Sequence, residues 1–331
     1  MAVHNGKAHL ASAIESILAQ TYKDFEFLIV DDASTDGSGE WLAACKDRRI
    51  RVITNDRQRG LAASLNTLIE QAAGELIARM DADDVALPER FTAQIRCLHQ
   101  RPEVGVLGTR MKFMTEKGEL QGEYSVPLTD GAIRWKLLLG NPFAHPTVMY
   151  RRELIKEVGG YDPEISVSQD KDLWVRLFKM TKFANLPDIL LHYRRLEQGN
   201  WMKKQEKARV VSSKAGKQIE ETLSGSSMSW KEWDDLIAAV NYSKSITREQ
   251  ADEMISSLLI LFSRFQNNVT LNQTETIEVS KDLTQMVGRL IDKTGQIERK
   301  DLSKEYWRSV VPEIVWESGR KVLRRKRGAS R

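Results

Sequence analysis

Four short apolar runs of strand length, "FEFLIVDD" (25–32), "IRVIT" (50–54), "ELIARMD" (75–81) and "VGVLG" (104–108), alternate with segments whose apolar residues recur at helical spacing. Leu10, Ile14, Ile17 and Leu18 form the first stripe, Trp41 and Leu42 a short second, Leu61, Leu65, Leu68 and Ile69 a third, and Phe91, Ile95 and Leu98 a fourth. Strands and helices alternating at this interval predict an α/β fold, a mostly parallel sheet with helices packed on its faces. The boundary residues agree: "STDGS" precedes Trp41, Gly74 follows the third stripe and Pro88 stands just ahead of the fourth. Such a sheet needs a first strand ahead of the helix that starts near Lys7, and only "MAV" is available for it. The expectation is a first strand truncated at Met1, with residues missing upstream; the alternative is an unusually late start.

At 331 residues the chain suits two modest domains. Residues 110–198 mix a hairpin-like "MKFMTEKGELQGEY", an amphipathic piece around Trp135–Leu139, and the strand-like "HPTVMYR" and "DILLHYR". After Gly199 proline nearly disappears, and Leu283, Met286, Val287, Leu290 and Ile291 recur at helical intervals. The expected division is therefore 1–198, an α/β domain, and 199–331, an all-helical appendage ending in a basic tail.

Composition bounds the function. With 41% apolar and 29% charged residues the chain reads as an ordinary soluble protein. Its longest nearly apolar run, "MISSLLILF" (254–262), is far short of the roughly 20 residues that a spanning helix needs. "MAVHNGKAHL" has no basic-then-apolar leader, and Cys45 and Cys97 alone make no disulfide framework, so a cytoplasmic location is expected. The net charge is +4, yet the last eleven residues, "KVLRRKRGASR", hold six Lys or Arg and no acid, which leaves the rest slightly acidic. A nucleic-acid groove on the body is thereby disfavoured. The tail suits peripheral contact with an anionic membrane, with Trp307 and Trp316 as interface anchors; a helix packed on the body is the competing reading.

In a parallel α/β sheet the ligand crevice lies beyond the carboxyl ends of the strands, and two acidic clusters fall there. Asp81, Asp83 and Asp84 follow "LIARM", and alternation gives Asp81 and Asp83 a common direction if the strand persists that far. Oxygen ligands at this spacing suit a hard divalent cation, Mg²⁺ or Mn²⁺, that also takes diphosphate oxygens. The plain alternative is a solvated turn leading into the Pro88 helix. Asp31 and Asp32 in "DDASTDGS" fit either a nucleotide contact at Asp32 or a turn with a helix cap. No Gly-rich phosphate loop follows a strand, so a metal is left to neutralise the phosphates. In "SQDKDLWVRLF" (168–178), Asp170 and Asp172 sit at a helix N-terminus, either as dipole compensation or with one of them as a general base.

"VDDASTDGS", "GLAASLN", "GELIARMDADDVALPERF", "HPTVMYRRELIKEVGGYDP" and "QDKDLW" together resemble, in order and spacing, the family 2 glycosyltransferases of the GT-A fold, and among them the bacterial members that build surface polysaccharides. The resemblance covers about residues 1–195. It implies a nucleotide-sugar donor, with Asp32 at the base, Asp81 at the ribose, Asp83 on the metal and Asp84 beside it. It also implies a base-pocket wall ahead of a position like Val3. The family's acidic pair before the "DLW" helix falls on Gln169 and Asp170, so the resemblance makes Asp170 the catalytic base and Asp172 a supporting residue. His145 either lines the sugar or acceptor pocket or is simply packed. Where many relatives carry a metal-binding His after "YR", this chain has Leu196. The implied reaction is inverting transfer from a nucleoside-diphosphate sugar, UDP-linked by expectation, to a saccharide or lipid-linked hydroxyl. The competing readings are a nucleotidyltransferase, and a folded but inactive nucleotide-binding or scaffold module.

Overall fold

In the computed structural model, which describes residues 1–196, 201–224, 228–241 and 245–295, the first quarter of the chain alternates strictly. β1 (Ala2–Val3), α1 (Lys7–Leu18), β2 (Phe27–Asp31), α2 (Ser38–Ala43), β3 (Ile50–Thr54), α3 (Leu61–Gln71) and β4 (Leu76–Ala78) follow in order. β1, β2 and β3 form a parallel sheet in that order, with Val3 opposite Asp31 and Asp31 opposite Thr54. Every residue of β2 is buried, as a strand covered on both faces must be.

β5 (Val85–Ala86), α4 (Arg90–Gln100), β6 (Val104–Met114), β7 (Leu120–Tyr124), α5 (Asp130–Leu139), a 3₁₀ turn (His145–Thr147), β8 (Met149–Arg151), α6 (Arg152–Glu157), α7 (Gln169–Arg176) and β9 (Lys182–Arg194) complete the α/β region. The second sheet runs β4-β8-β6-β9-β5, with β7 added to β6, and its only parallel pair is β6 with β9. The expected mostly parallel arrangement thus holds for the first three strands. The second sheet is mixed because the chain returns through the expected β6–β7 hairpin and through β8 instead of through helical crossovers. β4 also stops at Ala78, short of the run "ELIARMD", so strand alternation does not orient Asp81 and Asp83.

The molecule divides into two compact units: Met1–Leu128 with Asn141–Val211, and Thr129–Gly140 with the chain from Ser212 onward. The expected boundary at 198/199 is therefore displaced, and α5 leaves the α/β unit altogether. Its residues explain why. Ile133, Trp135 and Leu137–Leu139 are all buried, so the helix is apolar on nearly every side rather than amphipathic. α8 (Trp201–Ser224) starts in the first unit and passes into the second at Ser212, where α9 (Trp230–Asn241), α10 (Arg248–Asn268) and α11 (Gln273–Asp292) follow. Trp135 meets Phe262 and Phe265 of α10 edge-on, at 5.8 and 5.4 Å between centroids. Thr247 with Gln250 and Asn272 with Glu275 form capping boxes that start these two helices. Leu283, Met286, Val287, Leu290 and Ile291 make the buried face of α11, as their spacing predicts. Among the described residues no helix is long and apolar enough to cross a membrane, and the basic tail with Trp307 and Trp316 lies outside those residues.

Candidate functional site

The loops leaving β1 and β2 are stitched to each other. The Asn5 side chain accepts the Thr35 N–H at 2.8 Å, the Gly6 N–H donates to Ser38 Oγ and the Lys7 N–H to Asp36. Asn5, Ala33 and Ser168 are the non-glycine residues in the left-handed region among those described, with φ of 53°, 55° and 57°. They stand after β1, after β2 and ahead of α7. Backbone strain thus gathers at the segments carrying Asp32 and Asp170, a placement common at functional crevices.

Asp32 is 3% exposed and heavily engaged. Its Oδ1 accepts Asn55 Nδ2 at 2.7 Å and the Arg59 N–H at 2.8 Å, and its Oδ2 accepts the Gly60 N–H at 2.8 Å. Burial pushes its pKa up, but the Arg59, Asn55, Gly60 and Ser64 donors outweigh it and hold the pKa below the ordinary value. Gly60 sits at φ 87° and ψ 166°, a conformation essentially reserved for glycine, which aims its N–H at that carboxylate. Asp32 therefore ties β2 to the loop opening α3. Val3 is 1% exposed and its carbonyl accepts the Asp32 N–H, so it places this loop from within the core.

Arg79, the residue after β4, is 4% exposed and grips Asp81 through two contacts, Nη1 to Oδ2 at 2.6 Å and Nη2 to Oδ1 at 2.5 Å. Asp81, Asp83 and Asp84 each bring a carboxylate oxygen within 4.8 Å of the others. Arg194 holds this turn from the other side, its N–H donating to Asp84 Oδ1 at 2.9 Å and its Nε to the Asp83 carbonyl at 2.8 Å. Burial, followed by repulsion from Asp81, raises the Asp83 pKa to about 6. Burial and then Asp81 and Asp83 raise that of Asp84 to about 8. Asp84 Oδ2 is buried without a hydrogen-bond partner. Crowded carboxylates with an orphaned buried oxygen are what a hard divalent cation would satisfy, so these residues fit Mg²⁺ or Mn²⁺.

Asp170, in the first turn of α7, is 7% exposed, and its Oδ2 accepts Asn141 Nδ2 at 2.6 Å. Burial raises its pKa, with the Asn141 hydrogen bond and the Arg79 charge opposing. A raised pKa suits a group that must take up a proton. Asp172 is instead held by Arg176, at 2.9 and 2.7 Å, in an i,i+4 ion pair. His145 Nε2 lies 2.9 Å from Tyr161 Oη, and burial first, then Arg79, keeps its pKa well below the ordinary range. It is a neutral, hydrogen-bonded histidine. Trp174 is fully buried against Phe143, part of the core instead of a sugar platform.

Asp81, Asp83 and Asp84 converge, and Arg79 is the charge felt by Asp83, Asp84, His145 and Asp170 alike. Sequence reasoning passed over Arg79, Arg194, Asn55 and Asn141. For Arg79 a signal existed, since a cation inside the run "ELIARM" calls for a partner. The others show themselves only through contacts distant in sequence.

A family model described as glycosyl transferase family 2 matches residues 1–159. EpsE of Bacillus subtilis, described as a glycosyltransferase, is 36% identical over 184 residues, 54% of this chain and 65% of EpsE, so the match spans just under two thirds of that relative. WbnJ of Escherichia coli, an O-antigen biosynthesis glycosyltransferase, is 33% identical over 205 residues, 59% of this chain and 77% of WbnJ. Among solved structures, S. aureus TarS 1-349 in complex with UDP-GlcNAc superposes with a TM-score of 0.56 at 16% identity, covering 88% of this chain and 87% of that one. Mannosyltransferase PcManGT from Pyrobaculum calidifontis, in complex with GDP-Man and Mn²⁺, gives 0.51 at 16%, covering 89% and 85%. At such identities the likeness is one of fold.

Proposed function

The chain belongs to glycosyl transferase family 2, and we propose that it moves a sugar from a nucleoside-diphosphate donor, with UDP as the nucleotide, to a hydroxyl of a saccharide or lipid-linked acceptor in surface-polysaccharide synthesis. The observation that carries this reading is the convergence of Asp81, Asp83 and Asp84 beside a buried Arg79 whose charge also reaches Asp170.

Asp83 and Asp84 would hold a divalent cation, Mn²⁺ or Mg²⁺, which when bound offsets the charge of the diphosphate. Arg79 fixes the Asp81 carboxylate at the mouth of the turn, where Asp81 binds the ribose. Asp32, held rigid by its donors, orients the loop against which the nucleotide base lies, with Val3 beneath. Asp170 takes the proton of the acceptor hydroxyl as that oxygen attacks the anomeric carbon, and Asn141 keeps the carboxylate aimed. The bond from the anomeric carbon to the diphosphate oxygen breaks as the new one forms, the nucleoside diphosphate leaves, and this single displacement inverts the anomeric configuration. Asp172 supports the reaction by holding the first turn of α7 through Arg176, and His145 lends a neutral imidazole to the pocket wall. A cytoplasmic enzyme whose basic tail rests on the inner membrane face would meet a lipid-linked acceptor; the tail sequence supports that placement.

The test is calorimetric titration with UDP, with and without Mn²⁺, on the chain and on Asp83→Ala. Binding that needs both the cation and Asp83 is expected. Binding indifferent to both would favour an acid cluster without a metal, and no binding in any condition would favour the scaffold reading.

A further inference from the structure

Three half-buried rings, Tyr124, Phe113 and Tyr193, lie on one face of the second sheet. Tyr124 of β7 stands opposite Met111 of β6, and Phe113, two residues on from Met111 and so on the same face, stands opposite Tyr193 of β9. Phe113 meets Tyr124 and Tyr193 edge-on, each at 6.1 Å between centroids. Each end of the row feels a different part of the site. At Tyr193, burial and then the charges of Asp81, Asp84 and Asp83 push the phenol up to about 12. At Tyr124, burial and then Asp170 raise it. The rings therefore run from the acidic turn to the carboxylate assigned as the base.

The residues of β7 ahead of Tyr124 are exposed, and Tyr124 turns partly inward. Its hydroxyl has no hydrogen-bond partner among the described residues. Gly122, two positions earlier on the same face, has nothing within 4 Å of where a Cβ would stand, so open space adjoins the ring along the strand. Tyr124 feels the charge of Asp170 yet makes no hydrogen bond with it. The gap between phenol and carboxylate is thus wider than one such bond, as a substrate hydroxyl inserted between them requires. A phenol of raised pKa keeps its proton at neutral pH and is available as a donor. Packing on Phe113 holds the ring in place before anything binds, which lowers the ordering cost of binding.

We propose that Tyr124 receives the acceptor, and that the acceptor hydroxyl belongs to a sugar ring. One face of a pyranose carries C–H bonds of partial positive charge and suits the negative face of an aromatic ring, while the phenol O–H reaches a hydroxyl beside the attacked one. The sugar lies along β7 over Gly122, and its attacking hydroxyl is turned to Asp170. A bare lipid phosphate or an alkyl alcohol offers neither such a C–H face nor a neighbouring hydroxyl. Where the acceptor is lipid-linked, its first sugar is therefore already in place, supplied by an earlier glycosyl transfer. The proposal rests on the reading of Asp170 as the base.

The test titrates the full chain, its tyrosine rings isotope-labelled for magnetic resonance, with the methyl β-glycosides of glucose, galactose and N-acetylglucosamine, each with and without UDP and Mg²⁺. Octyl phosphate is the lipid-phosphate control. The Tyr124 signals, assigned by their loss in Tyr124→Phe, are expected to shift saturably with at least one glycoside and to stay in place with octyl phosphate. Saturation transfer to the glycoside gives the affinity in the variants. Tyr124→Phe is expected to weaken it ~5-fold, through the loss of one neutral hydrogen bond. Gly122→Val keeps the tyrosine and suits a strand, and by filling the space beside the ring it is expected to weaken binding ~10-fold or more. Tyr124 signals that stay in place with every glycoside, nucleotide present or absent, would overturn the proposal. So would equal shifts with octyl phosphate, or unchanged affinity in both variants. Asp83-dependent UDP binding is read separately, so failure of the donor reading is distinguishable from failure of this one.

Discussion

Replacing Asp32 by asparagine changes one oxygen to an amide nitrogen and keeps the volume. Two of its contacts, from Asn55 Nδ2 and the Arg59 N–H to Oδ1, survive as neutral hydrogen bonds, while the Gly60 N–H then faces an NH₂ group. Charge-assisted bonds contribute about 2 kcal/mol each and neutral ones about 1. The two survivors therefore lose roughly 2 kcal/mol together, and the lost third about 2 more. Burying an amide is cheaper than burying a charge, which returns part of this and leaves a net cost of about 2–3 kcal/mol. For a unit of this size that lowers the unfolding midpoint by roughly 5–10 °C. The pH dependence has a definite sign. Because the folded-state pKa is depressed, the carboxylate's contribution is present above its unfolded value and fades as pH falls through the folded one. Asp32→Asn should flatten that acid limb. The assay is thermal melting of both chains from pH 3 to 7 at fixed salt. Equal midpoints at pH 7 would refute the assignment of Asp32 as the tie between β2 and the loop opening α3.

Three further outcomes are expected. Asp170→Asn abolishes sugar transfer while leaving metal-dependent nucleotide binding measurable by calorimetry. In the unaltered chain the acid limb of activity lies above the ordinary carboxylate range, since burial raises the Asp170 pKa. Arg79→Met removes a buried cation from Asp81 and the acidic turn; it should cost roughly 2–4 kcal/mol and weaken nucleotide binding far more than acceptor binding, read by melting and titration.

The residues differ in how far their roles could be read along the chain. Alternation of short apolar runs with 3.6-period stripes announced β2, β3, α3 and α4, because those elements bury enough apolar surface to leave a pattern. The convergence of Asp81, Asp83 and Asp84 was legible because three carboxylates fall within four positions. α5 was misplaced because a helix buried all round carries no amphipathic phase to say which body it joins. Asp32 read as a nucleotide contact, and its donors Asn55, Arg59 and Gly60 were invisible, because hydrogen bonds across more than twenty residues leave no local trace. β4 was drawn too long, since an apolar run does not mark where its backbone turns.

The passage of α5 into the second unit also bears on how the chain is made. Leu139 leaves the ribosome about 150 residues before Asp292, at the end of α11, does. At 5–20 residues per second the partners of α5 in α10 and α11 arrive on the order of ten to thirty seconds later. Until the later part of α8 and then α9 emerge, Ile133, Trp135 and Leu137–Leu139 have nothing of their own unit to pack against, in the middle of a nascent α/β unit that is otherwise free to close. Chaperone binding and aggregation should therefore concentrate on residues 130–139 during synthesis. A gene cut after residue 198 would make that exposure permanent.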